Sequence, residues 1–429
     1  MKVAAIVAEY NPFHNGHLYH IAETRRLTGA DYVLAVMSGN FVQRGAPALC
    51  NKYLRTQMAL LGGADAVLEL PSLYATSSAE YFARGAVSLL ENLGVIDFLS
   101  FGSESGELSP FLTLGELLCA PSASYEEALH TSLKEGLNFP AARQRAVLTL
   151  LAGSADDRKI EELLSAPNNI LGLEYCKALF AHKSSITPLT IQRKGAYHDK
   201  QLADSGQDSD GEHRPSFSSA SAIRGALKDK VDDSLLKEHL PEKIYELFCA
   251  ESLFQNHVET DDFSSLLQYK LLMKEADGYE EFLDCSRELS DKIRKHLPDY
   301  TNMDAFIALL KSKDVTHTRL SRLLFHILLD MRTPAFYQPD ALERRLPAPY
   351  ARLLGFRRLA TPLLSAIKQN SSIPLISKLA DGEQNLTADA ASLLRQDIFC
   401  ASVYESVAGP KRGRVPLNEY RQSPVILEI

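Results

Sequence analysis

Over its first third the chain alternates short, near-continuous apolar blocks with longer amphipathic stretches. Val3–Ala8, Tyr32–Met37, Ala66–Leu70 and Asp97–Phe101 are the blocks. Their length and branched side chains predict buried strands. Leu18–Arg26, Lys52–Leu61 and Ser78–Leu93 carry helical spacing, with Gly62-Gly63 and Gly94 as stops. Strands apolar on both faces and separated by helices predict a parallel sheet covered on both sides. Ile186–Gln192 predicts a fifth strand and Ala220–Leu227 a further helix. Asp199–Ser216 is polar and predicts a mobile loop. From Asp232 onward helical spacing is broken only by prolines such as Pro241, Pro298 and Pro334. The expected architecture is therefore α/β: a Rossmann-like parallel-sheet domain over residues 1–228, containing the mobile loop 199–216, and a mainly α-helical domain over 229–429.

Composition changes this picture little. The chain has 429 residues, 45% hydrophobic and 23% charged, with a formal net charge of -8. That charge excludes a global attraction to nucleic acid, so any RNA contact must come from local patches. One such patch runs from Lys311 to Arg358 and includes Arg319, Arg322, Arg357 and Arg358; Lys411, Arg412 and Arg414 form a second. Solvated helix faces would explain either patch equally well. The six cysteines form no Cys-x-x-Cys pair, which argues against a zinc ribbon or disulfide framework and fits a cytoplasmic location. No signal peptide or transmembrane helix is expected, and no membrane partner.

Ligands of parallel sheets bind at the carboxyl ends of strands, so the loops after Ala8, Met37, Leu70 and Phe101 belong to one candidate site. His14 and His17 bracket Gly16 where the first strand gives way to a helix. Helix N-termini suit phosphates, Gly16 permits close approach, and both imidazoles are expected to face solvent and donate to oxyanions. A capped helix with two surface histidines is the plainer alternative. Ser38, Gly39, Asn40, Gln43 and Arg44 leave the second strand as a polar loop that could hold an anionic or amide-bearing substrate. Gly102 permits approach of an adenine or ribose, and Asn168 or Asn169 reads as a helix N-cap. Arg193 and Lys194 end the fifth strand, and Ser221 and Arg224 open a helix; these groups would bind distal phosphates.

His14-Asn15-Gly16-His17 after a first strand resembles the His-x-Gly-His signature of the nucleotidyltransferase superfamily. Ser221, Ile223 and Arg224 resemble half of its second signature, from which Phe217 and Ala220 depart. Longer segments, Glu9–His17, Val36–Gly45, Phe101–Glu104, Pro167–Gly172 and Arg319–Arg322, resemble the bacterial tRNA(Met) cytidine acetate ligase family across nearly the whole chain. The resemblance implies a nucleotidyltransferase fold and a ligase that turns ATP into AMP and diphosphate. It implies acetate activated as acetyl-adenylate and acetylation of N4 of the wobble cytidine of elongator tRNA(Met). ATP contacts are implied for Val7, Ala8, Glu9, Tyr10, Asn11, Pro12, Phe13, His14, Asn15, Gly16, His17, Leu18, Tyr19 and His20, and for Gly102, Asn168, Arg193 and Lys194. His14 and His17 are the expected catalytic pair, and Mg2+ is expected with ATP although no carboxylate cluster marks its ligands. A small-molecule adenylyltransferase with a helical dimerisation or lid domain, and a nucleotide sensor on a helical interaction module, are the alternatives. Oligomeric state and the acetate pocket are left open.

Overall fold

A computed structural model describes residues 1–137, 139–151, 160–161, 163–164, 167–194, 202–203, 216–333 and 348–428. Most of the expected 199–216 loop lies outside the described residues. The main sheet contains β1 (Val3–Ala8), β2 (Tyr32–Ser38), β5 (Ala66–Leu70), β6 (Phe98–Ser103) and β7 (Thr187–Gln192). A small hairpin, β3 (Phe41–Val42) and β4 (Ala46–Pro47), leaves the end of β2. The order across the sheet is β10 (Val425–Leu427), β8 (Ala351–Arg357), β5, β2, β1, β6, β7, with β9 (Leu375–Ile376) paired to β8. β1 pairs in parallel with β2 on one side and β6 on the other. The order therefore reverses at β1, which opens a crevice at the carboxyl ends of β1 and β6.

Alternation along β2 shows why both faces are covered. Leu34 and Val36 enter one apolar core, while Val33, Ala35 and Met37 enter the other. The helix Asn15–Thr28 ends at Gly29 in the left-handed region, and Ala79–Leu93 ends likewise at Gly94.

The region beyond residue 229 is rich in helices, as its spacing predicts, but it is not only helical. β8 (Ala351–Arg357) pairs antiparallel with β5, and β9 (Leu375–Ile376) and β10 (Val425–Leu427) pair in parallel with β8. The late strands thus extend the sheet built by the first third of the chain. The aromatic core crosses the expected boundary as well: the Phe41 ring lies 5.4 Å from Phe325 and 5.9 Å from Tyr404. A buried ionic cluster ties the same parts together. Lys52 Nζ sits 2.8 Å from Glu69 and 3.0 Å from Glu419, and Arg352 also reaches both carboxylates. Each charge has an opposite partner, which the low-dielectric interior requires.

Candidate active site

A cavity of about 610 Å³ opens at the crevice beside β1. Its walls come from the end of β1, the helix Asn15–Thr28, the β3–β4 hairpin, β6, β7 and the helix Ala220–Lys228. Segments some two hundred residues apart in the chain meet here. Among the expected site residues, Val7, Ala8, Glu9, Tyr10, His14, Gly16, His17, Tyr19 and His20 line it. So do Gln43, Arg44, Gly102, Arg193, Lys194, Ser221 and Arg224. Phe101, Ile170, Leu171 and Ile191 supply an apolar wall that the site expectations did not include.

The two signature histidines are locked before any ligand arrives. His14 caps the helix: its Nδ1 accepts from the Gly16 N–H at 3.0 Å, and His17 Nδ1 accepts in turn from the His14 N–H at 3.3 Å. Their rings stack with centroids 3.8 Å apart. An imidazole that accepts at Nδ1 carries its proton on Nε2 when neutral. Each ring therefore keeps an Nε2–H to donate. The expectation that both histidines face solvent needs correction, because His14 is buried and His17 half-buried. Burial, with Arg193 and Arg224 nearby, lowers the His14 pKa to about 3. Burial and His14 hold His17 well below the ordinary value, and burial with Arg193 lowers His20 to about 4. The imidazoles are thus neutral donors at neutral pH. His20 Nε2 is oriented by Ser100 Oγ at 3.0 Å, itself 2.7 Å from Thr24 Oγ1.

Gly16 has a different reason from the one its position suggests. A Cβ there would lie 2.8 Å from His14 Cε1, so glycine is required by the cap as much as by any ligand. Tyr10 holds a left-handed φ of 48°, and its buried hydroxyl has no hydrogen-bond partner among the described residues. Strain of this kind persists only where the surroundings impose it.

The cations arrive from β7 and from the second signature. Arg193 and Lys194 follow β7, with Lys194 Nζ 4.2 Å from the Tyr19 ring centre. Arg224 donates to the Asn11 carbonyl and to Ser221 Oγ, the latter at 3.2 Å. Ser219 caps the helix by accepting from the Ala222 N–H at 3.0 Å. A Cβ at Gly102 would come within 3.3 Å of Arg193 Cγ, so the glycine keeps this wall open.

Other expected residues support the cavity from behind. Asn11 Oδ1 accepts from the Leu49 N–H at 2.8 Å, and the Asn11–Pro12 peptide is cis. Phe13 is buried against Gly62, and Leu18 is exposed. Asn15 Nδ2 donates to the Ser216 and Glu238 carbonyls at 3.0 and 2.7 Å, joining the first signature to the approach to the second. Ser38, Gly39 and Asn40 do not reach the cavity. Arg55 donates to the Ser38, Gly39 and Glu9 carbonyls, and Asn40 Oδ1 accepts from the Lys52 N–H at 2.8 Å. These bonds fix the hairpin that carries Gln43 and Arg44. The Asn168 side chain lies outside the described residues.

The distal arginines separate into two groups. Arg319 is exposed in the first turn of the helix His317–Leu328, next to Thr318 on the cavity wall. Ser321 of that helix donates to the Gly45 carbonyl, and a Cβ on Gly45 would strike the Arg322 backbone at 2.3 Å. Arg322 is therefore half-buried against the hairpin. Arg357 and Arg358 lie elsewhere. Because β8 runs antiparallel to β5, with Phe356 opposite Ala66, both stand at the amino end of the parallel strands. Arg357 Nε donates to the Leu60 carbonyl at 3.0 Å, and Arg358 pairs with Glu428 at 2.6 Å. Lys411 is likewise paired, with Asp262 at 2.6 Å.

The comparisons with known proteins agree with this arrangement. A model of the HIGH nucleotidyl transferase family matches residues 1–415. A tRNA(Met) cytidine acetate ligase of Clostridium perfringens is 38% identical over 433 residues, 99% of this chain and 100% of the relative. The chain belongs to the tRNA(Met) cytidine acetate ligase family. A second member, from Thermoanaerobacter sp., is 38% identical over 94% of this chain and 95% of its own. The crystal structure of Thermotoga maritima TmcAL bound with alpha-thio ATP superposes over 100% of both chains at a TM-score of 0.88 and 29% identity. Its apo form gives 0.89. Among the described residues no helix is long and apolar enough to cross a membrane.

Proposed function

We propose that this protein activates acetate with ATP and acetylates N4 of the wobble cytidine of elongator tRNA(Met) in the cytoplasm. The observation that carries the reading is the convergence of two neutral Nε2–H donors with Arg193, Lys194 and Arg224 on one cavity at the carboxyl edge of the sheet. In the first step an acetate oxygen attacks the α-phosphorus and pyrophosphate leaves. Negative charge grows on the α-phosphate and on the leaving group. His14 and His17 donate to the former, and the three cations hold the latter. Such preorganised donors, with positioning, provide most of the acceleration in phosphoryl chemistry. The apolar wall and Gly102 receive the adenosine. In the second step the cytidine N4 attacks the acetyl carbon and AMP leaves, with the base turned out of its stack.

Among the described residues, no group of three or more His, Cys, Asp or Glu side chains is placed to hold an ion. A magnesium ion accompanying ATP would be bound by the phosphates themselves, and no step is assigned to it. Tyr19, Phe217 and Lys194 cluster on the cavity wall, and exposed Arg319 stands next to Thr318 of that wall, which supports tRNA lying across this edge. Incubation with labelled ATP, acetate and bulk tRNA tests the reading. Acetate-dependent pyrophosphate release followed by label transfer to tRNA is expected. Release without transfer to any tRNA would leave a small-molecule adenylyltransferase, and no release would remove the catalytic reading.

A further inference from the structure

The cavity holds one side chain whose charge opposes both ATP and acetate. Glu9 follows β1 and is the sole carboxylate among the described lining residues. A fixed negative charge beside a triphosphate and an acetate opposes the binding of both. β2 and β6 flank β1 on opposite sides, and the Glu9 carboxylate is tied to the hairpin that leaves β2. There the Gln43 N–H of the hairpin donates to Glu9 Oε1 at 3.0 Å. Glu9 Oε2 accepts no hydrogen bond and joins no ion pair among the described residues. Arg55 holds the Glu9 carbonyl at 2.7 Å, so the backbone beneath the carboxylate is fixed.

A carboxylate in this setting calls for a ligand that donates. The Watson–Crick edge of cytosine presents its N4 amine, and Glu is a matching acceptor for that group. We propose that the Glu9 carboxylate accepts the N4 amine of the target cytidine and takes its proton during acetyl transfer. This rests on the function proposed above. The N4 lone pair forms a bond to the acetyl carbon. The bond from that carbon to the AMP oxygen breaks, and AMP leaves with the electron pair. The surplus N4 proton passes to Glu9 Oε2 and then to solvent. Glu9 is the carboxylate acceptor at this wall among the described lining residues.

The test compares full-length wild type with Glu9→Gln and Glu9→Asp. Gln keeps an oxygen for the Gln43 N–H and removes the charge. Acetyl-adenylate is read without tRNA by trapping with hydroxylamine, a strong nucleophile that needs no base, as acetohydroxamate. Transfer is read as single-turnover acetylation of elongator tRNA(Met). For Glu9→Gln, tRNA acetylation is expected to fall at least about 100-fold further than hydroxamate formation does, with Glu9→Asp between. Equal loss of both activities would place Glu9 in the ATP step and overturn the proposal, as would tRNA acetylation at the wild-type rate. Absence of hydroxamate from wild type would remove the proposed function and this inference with it. Wild type that makes hydroxamate while Glu9→Gln loses both activities refutes only the role of Glu9.

Discussion

At the two ends of the sheet, cationic side chains meet different partners. At the carboxyl end, Arg224 is held by a carbonyl and a hydroxyl, and Lys194 lies over an aromatic ring. Neither joins a carboxylate in an ion pair among the described residues. At the amino end, Arg25 pairs with Asp65, Arg358 with Glu428, and Arg357 donates to a carbonyl. Arg224 and Lys194 thus have uncharged neighbours within contact distance, whereas Arg25 and Arg358 meet carboxylates. Charge density along the chain does not distinguish these ends, whereas the choice of partner does. Positioning a cation with neutral acceptors preserves its field for an anion.

Breaking the carboxyl end should have the largest effect. His17→Ala removes one preorganised donor and is expected to slow acetyl-adenylate formation by 100- to 1000-fold, about 3–4 kcal/mol of transition-state stabilisation. Rapid-quench measurement of the first turnover checks this. His14→Ala should show a similar loss and also lower stability by about 1 kcal/mol through the missing cap. His14→Asn should restore the stability without the activity, as read by thermal unfolding beside the rate.

Arg224 sharpens the comparison at the next level. Arg224→Lys keeps a charge but cannot serve both Asn11 and Ser221 with a planar fork. A rise in the KM for ATP of roughly tenfold is expected for Lys and about a hundredfold for Ala. Steady-state titration of ATP at saturating acetate reads both.

RNA binding should follow the same division. Arg319→Ala is expected to weaken tRNA affinity several-fold and flatten the salt slope by about one unit. Arg357→Ala with Arg358→Ala should change affinity less, since both side chains are already engaged. Filter binding across a salt series distinguishes them. Equal losses would mean that the RNA wraps to the amino end.

A further effect concerns pH. His14 titrates at about 3 in the folded chain against an ordinary 6.5. The unfolded chain therefore binds its proton first, and stability falls as pH drops from about 6.5 towards about 3. His14→Asn should show a shallower fall across that window in thermal unfolding followed at several pH values.

Much of the site was legible because it is local. His14, Gly16 and His17 sit within one turn, and a strand-to-helix junction can be read from a dozen residues. Other features depend on partners distant in the chain. Asn15 is read as an ATP contact from its motif, yet its amide joins Ser216 and Glu238. Arg357 and Arg358 read as an RNA surface along the chain, and only the fold sets Leu60 and Glu428 beside them. β8 escaped notice because Ala351–Arg357 carries an internal arginine and a glycine, and Arg352 is tolerated only where Glu69 and Glu419 meet it. Gly45 and Ser321 belong to separate motifs, and only their contact shows that the hairpin and the helix after Thr316 form one wall.

The central claim is that the carboxyl-edge cavity performs acetate activation without help from the cations at the other end. Acetate-dependent exchange of pyrophosphate into ATP, without tRNA, tests it in wild type, His17→Ala and the Arg357→Ala, Arg358→Ala double variant. Exchange in wild type and in the double variant at comparable rates, with at least a hundredfold loss in His17→Ala, is the predicted result. Exchange that survives in His17→Ala, or disappears in a folded double variant, would contradict the account.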